Sequence, residues 1–402
     1  MKPIYLDHNA TTPLAPEVFE AIEPILKDNF GNPSSIHSAG RAARVRLDEA
    51  REQVAALIGA HPSEIVFTSG GTESDNLAIL GLARALRDKG RHIITTQIEH
   101  PAVLNPCRQL ETEGFEVDYL PVDRWGRVER QRFVDALRED TLLVSIQHSN
   151  SEIGTLQEVD WLARQARERG VFFHSDAVQS VGKLPVRVED LGIDLLSLSA
   201  HKMYGPKGSG ALWIKRGTPP LVPVLLGGGQ EKKRRGGTEN VAGIVGLGKA
   251  AELARARMEE DVARIAGLRR YLVDALLRRL EGVEIHGHAE YCLPNTVSVS
   301  IDGVSGQSLL VRLDIEGVSV STGTACSSGA AQPSEVLTAL GLSPDRIEST
   351  LRLSLGRGTS KEDIDRVLDI LSEAAQAIRE RDGRSVPVEK DPGARPAIKG
   401  AG

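Results

Sequence analysis

The sequence predicts an α/β protein: a large domain with a mainly parallel, seven-stranded sheet covered by helices, then a smaller α/β domain towards the C-terminus. Three observations predict it. Short apolar runs alternate with amphipathic stretches at Glu64 to Thr68, His92 to Thr96, Val117 to Val122, Leu142 to His148 and Val171 to Ser175. Strand followed by helix, repeated, is the pattern of a parallel sheet buried on both faces. At 402 residues and 40 % hydrophobic content, the chain exceeds the size at which one core usually splits. Beyond Asn295 the alternation resumes as a separate compact series, with strands at Asn295 to Ile301, Val318 to Ser321 and Thr350 to Ser354 and helices at Ser305 to Glu316, Ser334 to Leu340 and Lys361 to Ile378.

Composition narrows the function. The net charge is −6, and no basic arm is present, which argues against nucleic acid as the main partner, because phosphate neutralisation needs clustered Lys and Arg. No apolar run approaches the ~20 residues of a membrane span, and Met1 to Asp7 lacks a signal-peptide apolar region, so a cytoplasmic protein without a membrane partner is expected. Three cysteines, Cys107, Cys292 and Cys326, are too few and too scattered for a disulfide framework or a Cys-rich metal site.

In chain order, Ile4 to Leu6 reads as a short strand entering the polar turn Asp7-His8-Asn9-Ala10-Thr11-Thr12, and Pro16 to Lys27 has helical spacing. Gly31-Asn32-Pro33 breaks the chain, where an Asn commonly bonds its own backbone. A long amphipathic helix spans Ser38 to Ile58. The strand at Glu64 to Thr68 then meets Ser69-Gly70-Gly71-Thr72-Glu73-Ser74-Asp75-Asn76, with the next apolar period at Leu77 to Arg87. Strand, glycine turn and helix start form an anion site built from free amide N-H groups, the Thr72 hydroxyl and the helix dipole.

Polar residues then gather where strands end, the edge at which doubly wound sheets place ligands. His100 follows the strand at His92 to Thr96. The cluster His148-Ser149-Asn150-Ser151-Glu152 and the cluster His174-Ser175-Asp176-Ala177-Val178-Gln179 end two more. An Asp at a buried strand end is costly unless it meets a cation or caps the next turn. Cys107, inside a helical pattern, reads as a packing residue.

The chemistry is densest at Ser197 to Lys215, where the apolar run Ile193 to Leu198 leads into Ser199, His201 and Lys202 before a Gly/Pro turn and the strand Ala211 to Ile214. A lysine desolvated at a strand end favours the neutral amine, which can form a Schiff base with an aldehyde cofactor. Further on, Gly227 to Asn240 holds four consecutive cations between glycines, suiting either a phosphate-approaching loop or a solvated one, and helices are expected from about Val241 to Leu280. Cys326 sits among small residues from Ser321 to Pro333, where a thiol is accessible as a nucleophile.

Taken together these motifs resemble the cysteine desulfurases of the nitrogen-fixation and iron-sulfur-cluster type, within the class V aminotransferase group of fold-type I pyridoxal-phosphate (PLP) enzymes. The resemblance runs from Ile4 to about Ile378. It rests on Tyr5-Leu6-Asp7, Gly31-Asn32-Pro33, Gly71-Thr72-Glu73-Ser74, Glu99-His100, Asp176 with Gln179, Ser199-x-His201-Lys202, Gly237-Thr238, Ala325-Cys326 and Arg352, in the family's order. It implies that Lys202 binds PLP covalently, Asp176 pairs with the ring nitrogen, Gln179 contacts the ring hydroxyl and His100 stacks on the ring. By the same resemblance Gly71, Thr72, Ser199 and His201 hold the phosphate, Thr238 comes from the other subunit of a homodimer, Asn32 and Arg352 bind the carboxylate of L-cysteine, and Lys202, His100 and Cys326 do the chemistry. The implied products are L-alanine and a Cys326 persulfide passed to an acceptor such as an iron-sulfur scaffold. No metal is implied.

The implied domain division is 15–253 for the large PLP-binding domain, with 1–14 and 254–380 forming the small domain that carries the reactive cysteine loop. Residues 381–402 have too little apolar content to bury anything and are expected to be a flexible tail. One departure stands out: the family usually has Asn immediately before Glu152, whereas this chain has Ser151 preceded by Asn150. Neighbours on an extended segment point in opposite directions, so Asn150 does not substitute, and the contact of the shorter Ser151 with the cofactor is left open. The competing readings are a selenocysteine lyase or another class V PLP enzyme such as an aminotransferase, and a non-catalytic sulfur-system binding protein. A plain aminotransferase has no need of Cys326, and a binding protein has no need of Lys202 with Asp176.

Overall fold

The computed structural model describes residues 3–322, 324–325 and 332–382. Cys326, and the expected tail beyond Asp382, lie outside the described residues. The chain opens with β1 (Ile4–Tyr5), α1 (Pro16–Lys27) and α2 (Ser38–Ile58). Pro16 opens α1, where its missing N-H costs nothing, and Val18, Ile22 and Ile25 bury one face. The left-handed Gly59 (φ 68°) closes α2.

The main sheet follows: β2 (Ile65–Thr68), α3 (Gly71–Ala85), β3 (His92–Thr96), α4 (Pro101–Thr112), β4 (Glu116–Leu120), α5 (Arg130–Ala136), β5 (Thr141–Ser145), α6 (Val159–Glu168), β6 (Phe172–Asp176), α7 (Val188–Leu191), β7 (Leu195–Ser199) and β8 (Gly210–Ile214). Its seven strands lie in the order β2-β8-β7-β6-β5-β3-β4. β8 alone among them runs antiparallel to its neighbours, because the short turn from Ala200 to Ser209 cannot hold a crossover helix. Strands β2, β3, β5, β6 and β7 therefore end at one edge. Core residues from α1, α2 and α6 cover one face, and residues from α3 and α4 cover the other.

A single 39-residue helix, α8 (Val241–Arg279), stands where several were expected. At about 1.5 Å per residue it is roughly 58 Å long. Ile244 to Ala254 belong to the core of the main sheet, and Ile265 to Leu276 belong to a second core. The chain continues through β9 (Val283–His286), β10 (Thr296–Ile301), α9 (Gly306–Ile315), β11 (Val318–Ser319), β12 (Ser321–Thr322), β13 (Thr324–Ala325), β14 (Gln332–Pro333), α10 (Glu335–Ala339), α11 (Pro344–Glu348), β15 (Thr350–Ser354) and α12 (Lys361–Asp382). Of these, β9, β10, α9, β11, β15 and α12 build the second core, while Val336 and Leu337 of α10 and Ile347 of α11 pack with Ile98 and Ile153 in a small cluster of their own. Four strands form an antiparallel sheet in the order β12-β15-β10-β9. The N-terminal strand joins this end of the molecule, since β1 pairs with β11. Residues 6 to 12 then cross to the edge of the main sheet. No helix among the described residues is long and apolar enough to cross a membrane.

Candidate active site

A cavity of about 390 Å³ opens at the edge where the parallel strands end. Its wall takes Gly71 and Thr72 from the start of α3, His100 from the start of α4, Ser149 and Ser151 from the loop after β5, Asp176 and Gln179 from the end of β6, Ser199, His201 and Lys202 from the end of β7, and Arg352 from β15. The sequence assigns a role to all of these except Ser149, which it places only within the polar cluster after β5. Asn32 and Thr238 do not line the cavity: Asn32 is exposed and its Oδ1 accepts from the Ser34 N-H at 2.9 Å.

The α3 helix begins at Gly71, earlier than its apolar period suggests, so the glycine turn and the helix start coincide. The first N-H groups of a helix have no acceptor within it, and here the first two residues, Gly71 and Thr72, line the cavity. A Cβ on Gly71 would meet Val178 Cγ2 at 2.6 Å, which restricts that position to glycine.

Lys202 Nζ donates to the carbonyls of Asn9 at 2.6 Å and Ala10 at 2.8 Å. Burial, then the Arg352 guanidinium, lowers its pKa to about 8, against the pull of Asp176 and Asp7. The turn behind it is fixed by Tyr204, a non-glycine residue at φ 67°. Tyr204 N-H donates to Thr12 Oγ1 at 2.7 Å, and its hydroxyl accepts from the Arg357 N-H at 2.7 Å. Such a backbone costs roughly 1–3 kcal/mol and persists only where its surroundings hold it.

Burial also pushes Asp176 up, opposed by the Val178 N-H and by the charges of His100 and Lys202. Asp176 Oδ1 accepts from Val178 N-H at 2.9 Å. His100 Nδ1 accepts from the Ala102 N-H at 3.1 Å, so the proton of the neutral ring sits on Nε2. His100 is held below its usual range by burial, then by Lys202, against Asp176. His201 falls to about 4 through burial and the neighbouring lysines, and its Nδ1 lies 3.1 Å from Thr11 Oγ1. Arg352 donates to Asp7 Oδ1 at 2.7 Å, to Ser321 Oγ at 3.0 Å and to the Ser151 carbonyl at 3.3 Å.

Three further residues complete the site. Asn9 accepts Gln179 Nε2 and Lys202 Nζ on its carbonyl and Lys183 Nζ on Oδ1, while its Nδ2 donates to the Ser151 carbonyl and Thr296 Oγ1. It thereby ties both sheets to the lysine. Lys183 donates to Gln179 Oε1 at 2.7 Å, and burial holds its pKa well below the usual lysine range. Asp75, 1 % exposed, lies in the cavity wall. Asp75 had a sequence signal: it shares a helical face with the buried Ala78, Ile79 and Leu82, an acid on an apolar stripe. Asn150 points away, as expected, donating to the Ile98 carbonyl and accepting from Glu152 and Ile153 N-H.

The basic loop before α8 is anchored rather than free. Arg235 pairs with Glu73 at 2.9 Å, and Arg51 pairs with the buried Glu231 at 2.7 Å. Cys107 is buried, its thiol pushed to about 12 by burial and by Glu99, in keeping with a packing role.

Comparison with known proteins agrees with this geometry. The model of the family described as aminotransferase class-V matches residues 4–367. The chain belongs to the class-V aminotransferase family. This class-V chain is 51 % identical over 376 residues to "Cysteine desulfurase IscS" of Dictyoglomus turgidum, covering 94 % of this chain and 95 % of that one. It is 50 % identical over 378 residues to the protein of the same name from Methanosarcina thermophila, covering 94 % and 93 %. Among solved structures, "NIFS-LIKE PROTEIN" superposes with a TM-score of 0.88 at 38 % identity, covering 94 % of this chain and 100 % of that one. "SspA in complex with cysteine" gives 0.78 at 38 %, covering 88 % and 98 %.

The class-V aminotransferases and cysteine desulfurases are PLP enzymes, and the residues of this cavity fit that cofactor. A helix N-terminus with three hydroxyl- or imidazole-bearing neighbours suits a phosphate, Asp176 suits a ring cation, and a lysine depressed to about 8 supplies the neutral amine an aldehyde requires.

Proposed function

We propose that this protein is a PLP-dependent cysteine desulfurase that removes sulfur from L-cysteine, releases L-alanine and retains the sulfur as a persulfide on Cys326. The observation that carries this reading is the convergence of Lys202, Asp176, His100 and Arg352 on one cavity, in a chain whose relatives are named for that reaction.

In this reading Lys202 holds the cofactor covalently, Asp176 pairs with its ring nitrogen, Gln179 reaches its hydroxyl and His100 packs on the ring. Gly71, Thr72, Ser199 and His201 take the phosphate, joined by Thr238 of a second subunit. When bound, the cofactor supplies an electron sink for the substrate's alpha carbon. Arg352 holds the substrate carboxylate from the cavity wall; Asn32, outside that wall, is assigned to the same carboxylate by the family resemblance alone. The Lys202 amine, neutral above about 8, takes the alpha proton and later returns one. The Cys326 thiolate forms an S-S bond as the Cβ-S bond of cysteine breaks; the bonding pair stays with carbon, which takes up a proton and leaves as alanine.

The same reading assigns residues 15–253 to a cofactor-binding domain and residues 1–14 and 254–380 to a small domain. It makes the protein a cytoplasmic homodimer that serves a sulfur acceptor such as an iron-sulfur scaffold. Large exposed apolar side chains support the dimer: Phe30, Ile36 and Leu226 are 83, 91 and 85 % exposed.

Anaerobic incubation with L-cysteine should yield alanine and sulfide together. Cys326→Ser should still bind L-cysteine, seen as a change in the cofactor's visible spectrum, and release almost no alanine, because a hydroxyl is a far weaker nucleophile toward sulfur. Mass spectrometry after brief exposure without reductant should place one added sulfur on the Cys326 peptide and none on those of Cys107 or Cys292. Normal turnover by the serine variant would sink the assignment.

A further inference from the structure

Two carboxyls share the wall of the cofactor cavity, and they are not equivalent. Asp176, at the end of β6, has its Oδ1 taken by the Val178 N-H. Asp75, on α3, is 1 % exposed, and its Oδ1 makes no hydrogen bond. A buried carboxylate oxygen left without a donor is costly.

The groups around Asp75 give it no counter-charge. His174 Nε2 lies 3.6 Å from Asp75 Oδ1, yet both nitrogens of that fully buried ring are engaged with serines, Nδ1 with Ser145 Oγ and Nε2 with Ser197 Oγ, each at 2.9 Å. Burial holds His174 at about 3, so the ring is neutral and the approach is no ion pair. From β7, the hydroxyl of Ser197, which stands opposite Asp176 in the sheet, pulls Asp75 toward its ionised form, but less than burial and Asp176 push it the other way. Asp176 from β6 adds negative charge, which raises Asp75 further above a carboxylate already lifted by burial. Lys202 and His100 pull Asp176, not Asp75, toward its ionised form.

We propose that Asp75 is a positioning residue that stays protonated beside Asp176, so that the pair carries one negative charge and that charge rests on Asp176, where the ring nitrogen of the cofactor is read to bind. Asp75 and Asp176 line one cavity wall, and two carboxyls sharing a low-dielectric site do not both ionise; the proton stays on Asp75, whose Oδ1 has no donor. The inference rests on the PLP reading for its purpose but not for its chemistry, since the asymmetry belongs to the protein.

Asp75→Asn and Asp75→Ala test it. The amide reproduces a neutral carboxyl, so D75N should hold PLP within about two-fold of wild type, whereas D75A, which removes the polar group from the wall and leaves Asp176 without its neutral neighbour, should bind about ten-fold more weakly. The infrared difference spectrum of wild type minus D75N at neutral pH should show the C=O band of a carboxylic acid, with the Glu99 contribution cancelling because both proteins contain it. Carboxylate bands in that difference, an affinity loss in D75N equal to that in D75A, or unchanged affinity in D75A would each overturn the proposal. Recording the infrared difference on the cofactor-free protein as well separates two failures. Wild type that takes up no PLP while showing the acid band defeats the cofactor reading alone.

Discussion

Lys202 is where burial and function meet in one atom. Its depressed pKa of about 8 means that the amine is mostly protonated at pH 7 and mostly free at pH 9, so capture of PLP by the cofactor-free protein should speed up through about pH 8 and level off above it. Stopped-flow absorbance would show this, and a rate independent of pH from 7 to 9 would contradict it. Ser151 gives a second expectation at this scale. Its side chain faces the cavity while its carbonyl is held by Asn9 and Arg352, so Ser151→Asn should place an amide at the same wall. A new hydrogen bond of about 1 kcal/mol to the ring oxygen would move the pH midpoint of the cofactor's visible band down by roughly half to one unit. An unmoved midpoint would show that the serine already makes an equivalent contact. Lys202, Asp176 and His100 were legible because each ends a strand, where sequence order and position in the sheet coincide. Asn9 and Lys183 were not, since their roles arise only when the N-terminal crossing segment folds back on β6 and β7.

At the level of elements, α8 shows what periodicity can and cannot give. Its helical pattern was readable, but its continuity was not, because its buried face passes from one core to another and the apolar stripe is interrupted between Ala254 and Ile265. Short elements such as β9 and α11 were missed, since four or five residues with a single buried position carry too little pattern. Two glycines of α8 offer a paired test. A Cβ on Gly248 would sit 2.6 Å from Ala50 Cα and 2.7 Å from Ala50 Cβ on α2, whereas one on Gly267 meets nothing within 4 Å. Gly267→Ala should stabilise the protein by about 0.5–1 kcal/mol through helix propensity. Gly248→Ala should instead destabilise it by about 1–3 kcal/mol, because overpacking outweighs propensity there. Urea unfolding measures both, and stabilisation by Gly248→Ala would mean that α2 and α8 are free to part.

Across the whole molecule, several histidines are buried without a counter-charge, and this sets how the fold responds to acid. His174 is held at about 3, and His148 and His286 at about 4, in each case first by burial. In the unfolded chain each titrates near ~6.5. Between about pH 6.5 and 4 the unfolded state therefore binds protons that the folded state refuses, so stability is full above the unfolded pKa and falls as the pH drops, by at most about 1.4 kcal/mol per pH unit for each histidine. Glu99 works in the opposite direction. Burial raises it to about 8, so from about pH 4.5 to 8 the folded state keeps a proton that the unfolded state has lost, and stability declines as pH rises through that window. Asp75, Glu152 and Asp176 are raised by burial in the same sense as Glu99. The histidines that burial lowers, with His8, His92, His100 and His201 among them, outnumber these carboxyls, which predicts a net loss on acidification. His286 isolates the effect, because it lies on β9, away from the cofactor cavity, and its Nε2 has no partner; Arg346 lowers it further. His286→Gln removes one refused proton, so its unfolding free energy should fall less steeply than that of wild type between pH 6.5 and 4.5 in urea titrations. Parallel slopes for the two proteins would show that His286 takes up its proton in the folded state, and that burial in the second core does not exclude the charge.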